Sequence, residues 1–214
     1  MTFDQQTAVK TANYLLQINA IKLNPENPFS WASGWKSPIY CDNRITLSYP
    51  KIRNYLCDQL AIQVKSIYQN DKYIIAGVAT GAIGIGVLVA QKLNLPFIYV
   101  RPEPKKHGRK NQIEGYIPHN SKVVVIEDLI STGKSSLIAV EALKSEGADV
   151  LGMLGIFTYG FKIADDNFKN SKVNLNTLSN YDILINEALN QNIIDSDSLS
   201  KLTEWRKSPD NWNF

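Results

Sequence analysis

The sequence predicts an α/β protein: a parallel, twisted sheet flanked by helices, with a small hood formed by the N-terminal residues. Three observations support this fold class. Short apolar, β-branched segments alternate with helical patterns along the middle of the chain, glycine-rich turns follow two of these segments, and 214 residues suit one domain. Strands separated by helical crossovers imply a parallel sheet covered on both faces.

The first fifty residues predict a helix followed by a hood of short strands. Apolar positions between Ala8 and Leu16 fall on one helical face. Residues 29–47, FSWASGWKSPIYCDNRITL, are turn-rich and aromatic, which is typical of short strands. A second amphipathic helix is expected after Pro50. We therefore assign the hood mainly to residues 1–50 of a single domain.

The core, at about residues 51–160, predicts alternating strands and helices. The expected elements are strand 73–79, helix 83–93, strand 97–100, strand 122–127, helix 134–146 and strand 149–157. The tail, residues 161–214, predicts one or two helices, with Ser179 and Asp182 spaced as a capping box.

One stretch of the core has the length of a short membrane span. Residues 73–90, YIIAGVATGAIGIGVLVA, are nearly uncharged, but four glycines interrupt them. The first residues are β-branched like a buried strand, so a strand, a glycine turn and a helix are favoured over a membrane helix.

Composition and charge narrow the functional classes. Cys41 and Cys57 are too few for a disulfide framework, and the polar N-terminus lacks the regions of a secretion signal, so a cytoplasmic protein is expected. The net charge is +3, yet residues 101–110 hold five cations against Glu103, which leaves the rest of the chain near −1. Such a cluster suits one small, highly charged anion better than nucleic acid; a solvated basic turn is the alternative.

The segment VVVIEDLISTGKSSLIAV, residues 123–140, raises the question of which phosphate it binds. A nucleotide-triphosphate loop requires glycine five residues before Gly133, where this chain has Asp128. A carboxylate there would repel a triphosphate, which disfavours that class.

The same segment fits two adjacent binding sites. Glu127 and Asp128 can accept hydrogen bonds from vicinal hydroxyls, while residues 131–135 offer hydroxyls and backbone N–H groups at a helix N-terminus, suited to a monophosphate. Together these groups match ribose 5-phosphate. The alternative is a tight strand-to-helix turn with surface acids.

At this point the motifs match a known family. VVVIEDLISTGKSS resembles the phosphoribosyl-diphosphate (PRPP) signature of the type I phosphoribosyltransferases. RPEPKKHGRKNQIEG and SGWKSPIYCDNRITLSYP are similar to the catalytic loop and the base-side segment of the orotate phosphoribosyltransferases. The resemblance covers about residues 29–158. It implies the type I fold and transfer of phosphoribosyl from PRPP to orotate, giving orotidine 5′-monophosphate and pyrophosphate in de novo pyrimidine synthesis.

The resemblance also implies site residues, a cofactor and partners. Mg²⁺ is expected as the cofactor, held mainly by PRPP, and the expected assembly is a homodimer in which the loop of one subunit covers the other's site. The residues implied as catalytic are Arg101, Lys105, His107 and Asp128. The residues implied to bind PRPP are these four with Glu127, Leu129, Ile130, Ser131, Thr132, Gly133, Lys134, Ser135, Thr80 and Gly81.

The orotate end of the site is assigned by weaker matches. Ser131, Lys36 and Arg44 are the implied orotate contacts, whereas Trp31 and Trp35 are expected to pack. Many family members have lysine at Ala32 and at Pro102, so two cations are missing from this chain.

Two alternatives to the orotate enzyme remain on the same fold. One is a phosphoribosyltransferase for another base, which the Lys-x-His-Gly loop disfavours. The other is a PRPP-binding regulator, which would need a nucleic-acid surface that the residual charge near −1 does not provide.

Overall fold

The structure is a computed structural model, and it describes residues 2–31, 34–69, 72–103 and 112–212. The helices are α1 (Gln5–Gln17), α2 (Pro50–Ile67), α3 (Gly81–Leu93), α4 (Lys134–Ser145), α5 (Lys162–Asn170), α6 (Tyr181–Asn190) and α7 (Ser196–Lys207), with a 3₁₀-helix at Asn43–Ser48. The strands are β1 (Ile21–Leu23), β2 (Phe29–Ser30), β3 (Lys36–Ser37), β4 (Ile39–Cys41), β5 (Tyr73–Val78), β6 (Phe97–Val100), β7 (Ile113–Glu114), β8 (Lys122–Ile130), β9 (Asp149–Thr158) and β10 (Leu175–Asn180).

A six-stranded sheet in the order β10-β9-β8-β5-β6-β7 forms the centre of the fold. All neighbouring pairs are parallel except β6 and β7, which are antiparallel. The predicted parallel sheet is therefore confirmed, and β7 adds a short edge strand that the sequence pattern did not indicate.

Both faces of the sheet are covered, as a continuous apolar strand requires. Along β8, Val124 and Ile126 pack into a core shared with α1, α2, α3, α6 and α7. The intervening Val123 and Val125 pack into a second core with α4 and α5. This alternation explains why the β8 segment is apolar at successive positions until Glu127.

The hood consists of two short antiparallel ribbons and the 3₁₀-helix. β1 pairs with β4, and β2 pairs with β3. The expectation of short strands is correct for residues 29–41, and β1 lies before the stretch for which strands were expected. Asn43–Ser48 forms a helical turn instead, capped by Asp42, whose carboxylate accepts from the Arg44 N–H.

Three predicted boundaries need correction. β8 runs to Ile130 rather than ending at 127, so the two acidic residues lie within the strand. The tail contains three helices and a strand, not one or two helices. The cap of α6 is Asn180, whose side chain accepts from the Ile183 N–H, and not Ser179. Asn180 is the last residue of β10 and pairs with Thr158 of β9, which places its side chain at the start of the helix.

The stretch 73–90 is divided between β5 and α3, as expected. Within the described ranges, no helix is long and apolar enough to cross a bilayer.

Candidate active site

The carboxyl ends of β6, β5 and β8 lie side by side, because these parallel strands are neighbours in the sheet. Ligands of such sheets bind beyond this edge. Arg101 follows β6, Thr80 follows β5, and the Ser131–Gly133 turn follows β8. Three segments that are separate in sequence therefore meet at one edge.

Glu127 is a buried carboxylate near the end of β8, with only 4% of its surface exposed. Its Oε2 accepts from the Ser136 hydroxyl at 2.8 Å, and its Oε1 accepts from the Asp128 N–H at 2.9 Å. Burial raises the pKa of Glu127 well above its usual range, and the charge of Asp128 raises it further. Both oxygens thus serve internal contacts that fix the strand end against α4.

Asp128 lies directly against the turn that follows β5. A methyl group built on Gly81 would overlap the Asp128 carboxyl group, so only glycine leaves room for that carboxylate. Asp128 is half-buried, in contrast to Glu127. Of the two adjacent acids, Asp128 is the one placed to meet a ligand.

The turn from β8 into α4 is held from outside by α5. Gly133 has φ +76°, and the Phe168 ring lies 2.7 Å from where a Gly133 Cβ would be. The Asn167 side-chain amide donates to the Thr132 carbonyl at 3.0 Å. α4 then begins without a side-chain cap, which leaves its first N–H groups available to an anion.

The hydroxyl and cationic side chains of this turn remain accessible. Ser131 and Thr132 are half-buried, while Lys134 and Ser135 are exposed. Leu129 and Ile130 complete the strand and pack into the interior, with Ile130 fully buried. The strand, turn and helix N-terminus that the sequence indicates are therefore present, while the binding of a monophosphate there stays a prediction.

The ends of the basic segment are joined to each other. The Arg101 N–H donates to the Gln112 carbonyl at 2.9 Å, and the Gln112 side chain donates to the Arg101 carbonyl at 2.8 Å. The Arg101 guanidinium contacts Glu114 at 3.5 Å. Lys105 and His107 lie outside the described residues, so their predicted roles remain predictions.

The predicted orotate contacts in the hood have partners within the hood. Lys36 Nζ donates to Ser30 Oγ at 2.9 Å. The Arg44 guanidinium makes a two-point contact with Asp42, at 2.7 and 2.9 Å, which lowers the pKa of Asp42. Both cations are exposed. Ala32, where the family has lysine, lies outside the described residues.

Trp31 of the hood packs against aromatic side chains from the C-terminal part of the chain. Trp31 lies 5.2 Å from Tyr159 and 5.6 Å from Trp205 between ring centroids, and Trp31 Nε1 donates to the Ile39 carbonyl. This contact network confirms Trp31 as a packing residue. Trp35 stacks on Trp31 at 6.3 Å.

Sequence reasoning missed two residues of this region. Trp205 Nε1, on α7, donates to the Lys36 carbonyl in β3 at 3.1 Å. Asn43 donates to the Asp128 carbonyl at 2.6 Å. Both contacts join segments that are distant in sequence. The sequence signal for Trp205 was an aromatic residue in an otherwise polar helix, and the signal for Asn43 was an amide within a turn-rich segment.

Comparisons with known proteins agree with this geometry. A family model described as a phosphoribosyl transferase domain matches residues 51–183. The chain is 58% identical to the orotate phosphoribosyltransferase of Cytophaga hutchinsonii over 92% of this chain and 94% of the relative. Against that of Porphyromonas gingivalis the identity is 55%, covering 95% and 96%. A crystal structure of orotate phosphoribosyltransferase from Aeropyrum pernix aligns with a TM-score of 0.73 at 28% identity, covering 86% of this chain and 99% of that one.

These matches define the class as a phosphoribosyltransferase domain with the type I fold, as the strand-end motif predicts. Within that class, the chain belongs to the orotate phosphoribosyltransferase family.

Proposed function

We propose that this enzyme transfers the 5-phosphoribosyl group of PRPP to orotate, releasing pyrophosphate and forming orotidine 5′-monophosphate for pyrimidine synthesis. The observation that carries the proposal is the meeting of Arg101, the Thr80–Gly81 turn and the Asp128 strand end at one sheet edge. Family membership supports orotate as the acceptor base.

The ribose 5-phosphate half of PRPP is assigned to β8 and the turn after it. Asp128 accepts from the ribose hydroxyls, and the α4 N-terminus with Ser131, Thr132 and Ser135 binds the 5′-phosphate. Glu127 contributes indirectly: its carboxylate accepts hydrogen bonds from the Asp128 N–H and the Ser136 hydroxyl. Neither of its oxygens is therefore assigned to the ribose. The ribose is thereby fixed while its C1′ reacts.

The diphosphate half is assigned to the cationic segment and the β5 turn. As C1′ gains positive character, negative charge develops on the departing pyrophosphate, and Arg101 with Lys105 and His107 stabilises that charge. His107 serves as a hydrogen-bond donor, because neighbouring cations disfavour its protonated form. The backbone N–H groups at Thr80 and Gly81 are assigned to the diphosphate as well.

Mg²⁺ fits as an ion carried by the diphosphate. Mg²⁺ prefers oxygen ligands and commonly takes them from substrate phosphates, so the diphosphate itself can supply them. In the described part of the chain, no cluster of three or more His, Cys, Asp or Glu side chains could hold a metal by itself. When bound, the ion would neutralise part of the diphosphate charge.

The first experiment follows the loss of orotate ultraviolet absorbance with PRPP and Mg²⁺, using adenine, hypoxanthine and uracil as competing bases. Consumption of orotate that requires both PRPP and metal is expected. PRPP binding without orotate consumption would contradict the base assignment and favour another acceptor base or a PRPP-binding regulator.

A cytoplasmic homodimer with active sites shared across its interface is part of the proposal. If Lys105 serves the partner's site, a mixture of Lys105→Ala and Asp128→Asn chains regains activity, because one hybrid site keeps both residues. Each variant alone is expected to lose about 2 to 4 kcal/mol of transition-state stabilisation. Absence of recovery, with mixed dimers verified by mass spectrometry, would place each complete site within one chain.

A further inference from the structure

Asn43 is a buried amide that joins the hood to the ribose end of the site. It begins the 3₁₀-helix, is 2% exposed, and lies 85 positions before Asp128 in sequence. Its Nδ2 donates to the Asp128 carbonyl at 2.6 Å. This contact joins the base-side segment directly to the main chain at Asp128.

The Asp128 carbonyl lies where β8 has lost a strand partner. The register of β5 with β8 ends at Gly77 and Ile126, whereas β8 continues to Ile130. A main-chain carbonyl that is shielded from water needs a hydrogen-bond donor. Leaving it without one costs about 1 to 3 kcal/mol of folding free energy. Asn43 supplies that donor from the hood in place of a strand.

The orientation of the Asn43 amide is fixed by its other contacts. The Cys41 thiol lies 3.4 Å from Asn43 Oδ1 and donates to it. The Thr46 hydroxyl donates instead to the Asn43 main-chain carbonyl, at 2.6 Å, and does not bond the side-chain amide. Because the Asp128 carbonyl can only accept, the NH₂ group of Asn43 must face it. The amide is therefore held at both ends.

Both main-chain groups of Asp128 are bonded by side chains. Its N–H donates to Glu127 at 2.9 Å, and its carbonyl accepts from Asn43. With the peptide held on both sides, the Asp128 carboxylate is confined to the space above Gly81. A small displacement of this carboxylate would spoil its alignment with the ribose hydroxyls.

We propose that Asn43 is a positioning residue that holds Asp128 for PRPP, an inference that rests on the proposed function. Asn43 touches no reacting atom in this assignment; it acts through the Asp128 main chain. It also makes the ribose end depend on the hood, so that the base and the ribose are aligned by one contact.

The test compares two ligands that share only the diphosphate. Calorimetry measures the binding of PRPP and of pyrophosphate, each with Mg²⁺, to the full-length protein and to Asn43→Ala and Asn43→Asp. Both variants lack the donor, and the second keeps the side-chain shape. We expect PRPP affinity to fall about 10-fold or more, while pyrophosphate affinity stays within about twofold because its site lacks Asp128. Thermal melts confirm folding.

Thr46→Val is the matched control. It removes a buried hydrogen bond from the same 3₁₀-helix but leaves the Asn43 donor in place. PRPP affinity is expected to stay near that of the unaltered protein in this variant.

Three results would overturn the inference: unchanged PRPP affinity in both Asn43 variants, equal weakening of both ligands, or failure of both variants to fold, which would make Asn43 a purely structural residue. If the unaltered protein consumes no orotate but binds PRPP, the base assignment fails while this inference stands or falls on the binding data. If it does not bind PRPP at all, both fail.

Discussion

The proposed phosphate end and the proposed base end of this site are built in opposite ways. The phosphate end comes from one continuous segment, Glu127–Ser136, in which a strand, a turn and a helix N-terminus follow one another. The base end is the hood, whose β3 carbonyl at Lys36 is held by Trp205, 169 positions later. A local motif can therefore specify most of the first end, to which Asn167 and Asn43 add bonds from distant segments, whereas the second end depends on contacts across the whole chain.

The difference extends to how each end is held. At the phosphate end, Glu127 bonds Ser136 and the Asp128 N–H, partners within nine residues. At the base end, the Trp205 ring lies 5.5 Å from Phe161 and 5.6 Å from Tyr181 between centroids, so three distant segments share one packing unit. Changes at the two ends should consequently affect different properties of the enzyme.

The largest expected effect tests the base end through Trp205. Trp205→Ala should cost about 3 to 5 kcal/mol of unfolding free energy, because the indole is fully buried in the aromatic cluster. Trp205→Phe keeps most of the packing but loses the bond to the Lys36 carbonyl. We expect it to raise KM for orotate several-fold while leaving KM for PRPP near its original value.

Tyr181→Phe is the control for the Trp205 variants. It removes a buried hydrogen bond from the same cluster, the Tyr181 hydroxyl to the Leu202 carbonyl at 3.0 Å, without touching the hood. A similar rise in KM for orotate in this variant would mean that cluster stability, rather than the contact with β3, governs the base end.

The next effect tests the phosphate end. In Gly81→Ala the new methyl group overlaps the Asp128 carboxyl group, so the carboxylate must move. We expect kcat/KM for PRPP to fall about 100-fold, with little loss of thermal stability because alanine favours a helix more than glycine does.

The control for Gly81 lies one turn along α3. A Cβ on Gly84 meets only the flexible end of Leu47, at 2.9 Å. Gly84→Ala should therefore retain most activity. If Gly81→Ala is as active as Gly84→Ala, the close approach of Asp128 to the β5 turn has no role in PRPP binding.

The smallest effect concerns pH and Glu127. Because burial raises its pKa in the folded protein, the stabilisation from protonated Glu127 is complete below the unfolded pKa of about 4.3 and is lost as pH rises through the folded value. Glu127→Gln removes this dependence. Its stability relative to the original protein should therefore increase from pH 5 to pH 8, by about 1.4 kcal/mol for each unit of raised pKa.

Denaturant unfolding at several pH values measures this difference. Glu141→Gln, at an exposed position on α4, gives the baseline for removing one carboxylate. A Glu127→Gln variant that is uniformly less stable at all pH values would show that the two accepted hydrogen bonds outweigh the cost of burying the carboxylate.

The local structure of the proposed phosphate end was predictable from sequence for a physical reason. Gly133 is required locally by its positive φ, and the apolar strand before it and the helix after it each follow from a local sequence pattern. The same reasoning placed the central strands, since buried parallel strands are apolar at every position. It ended β8 too early only because the acidic residues look like a loop.

The tail could not be predicted in the same way. β10, LNTLSN, is polar and has weak strand propensity, and it forms because its backbone pairs with β9. Thr177 and Ser179 on this strand are fully buried, which no local pattern indicates. Asn43 and Trp205 act through single long-range hydrogen bonds, and these leave no periodic signal in sequence.

The Trp205 contact also sets an order of events during synthesis. Residues 169 positions apart must both have left the ribosome before β3 can accept this bond. At about 5 to 20 residues per second, the hood emerges roughly 10 to 30 s before the helix that completes it. The phosphate end needs a shorter delay, since its strand, turn and helix emerge together and Asn167 of α5, which bonds the turn, follows Thr132 by 35 positions. A nascent chain can thus form the segment proposed to bind ribose 5-phosphate before it can complete the hood proposed to bind the base.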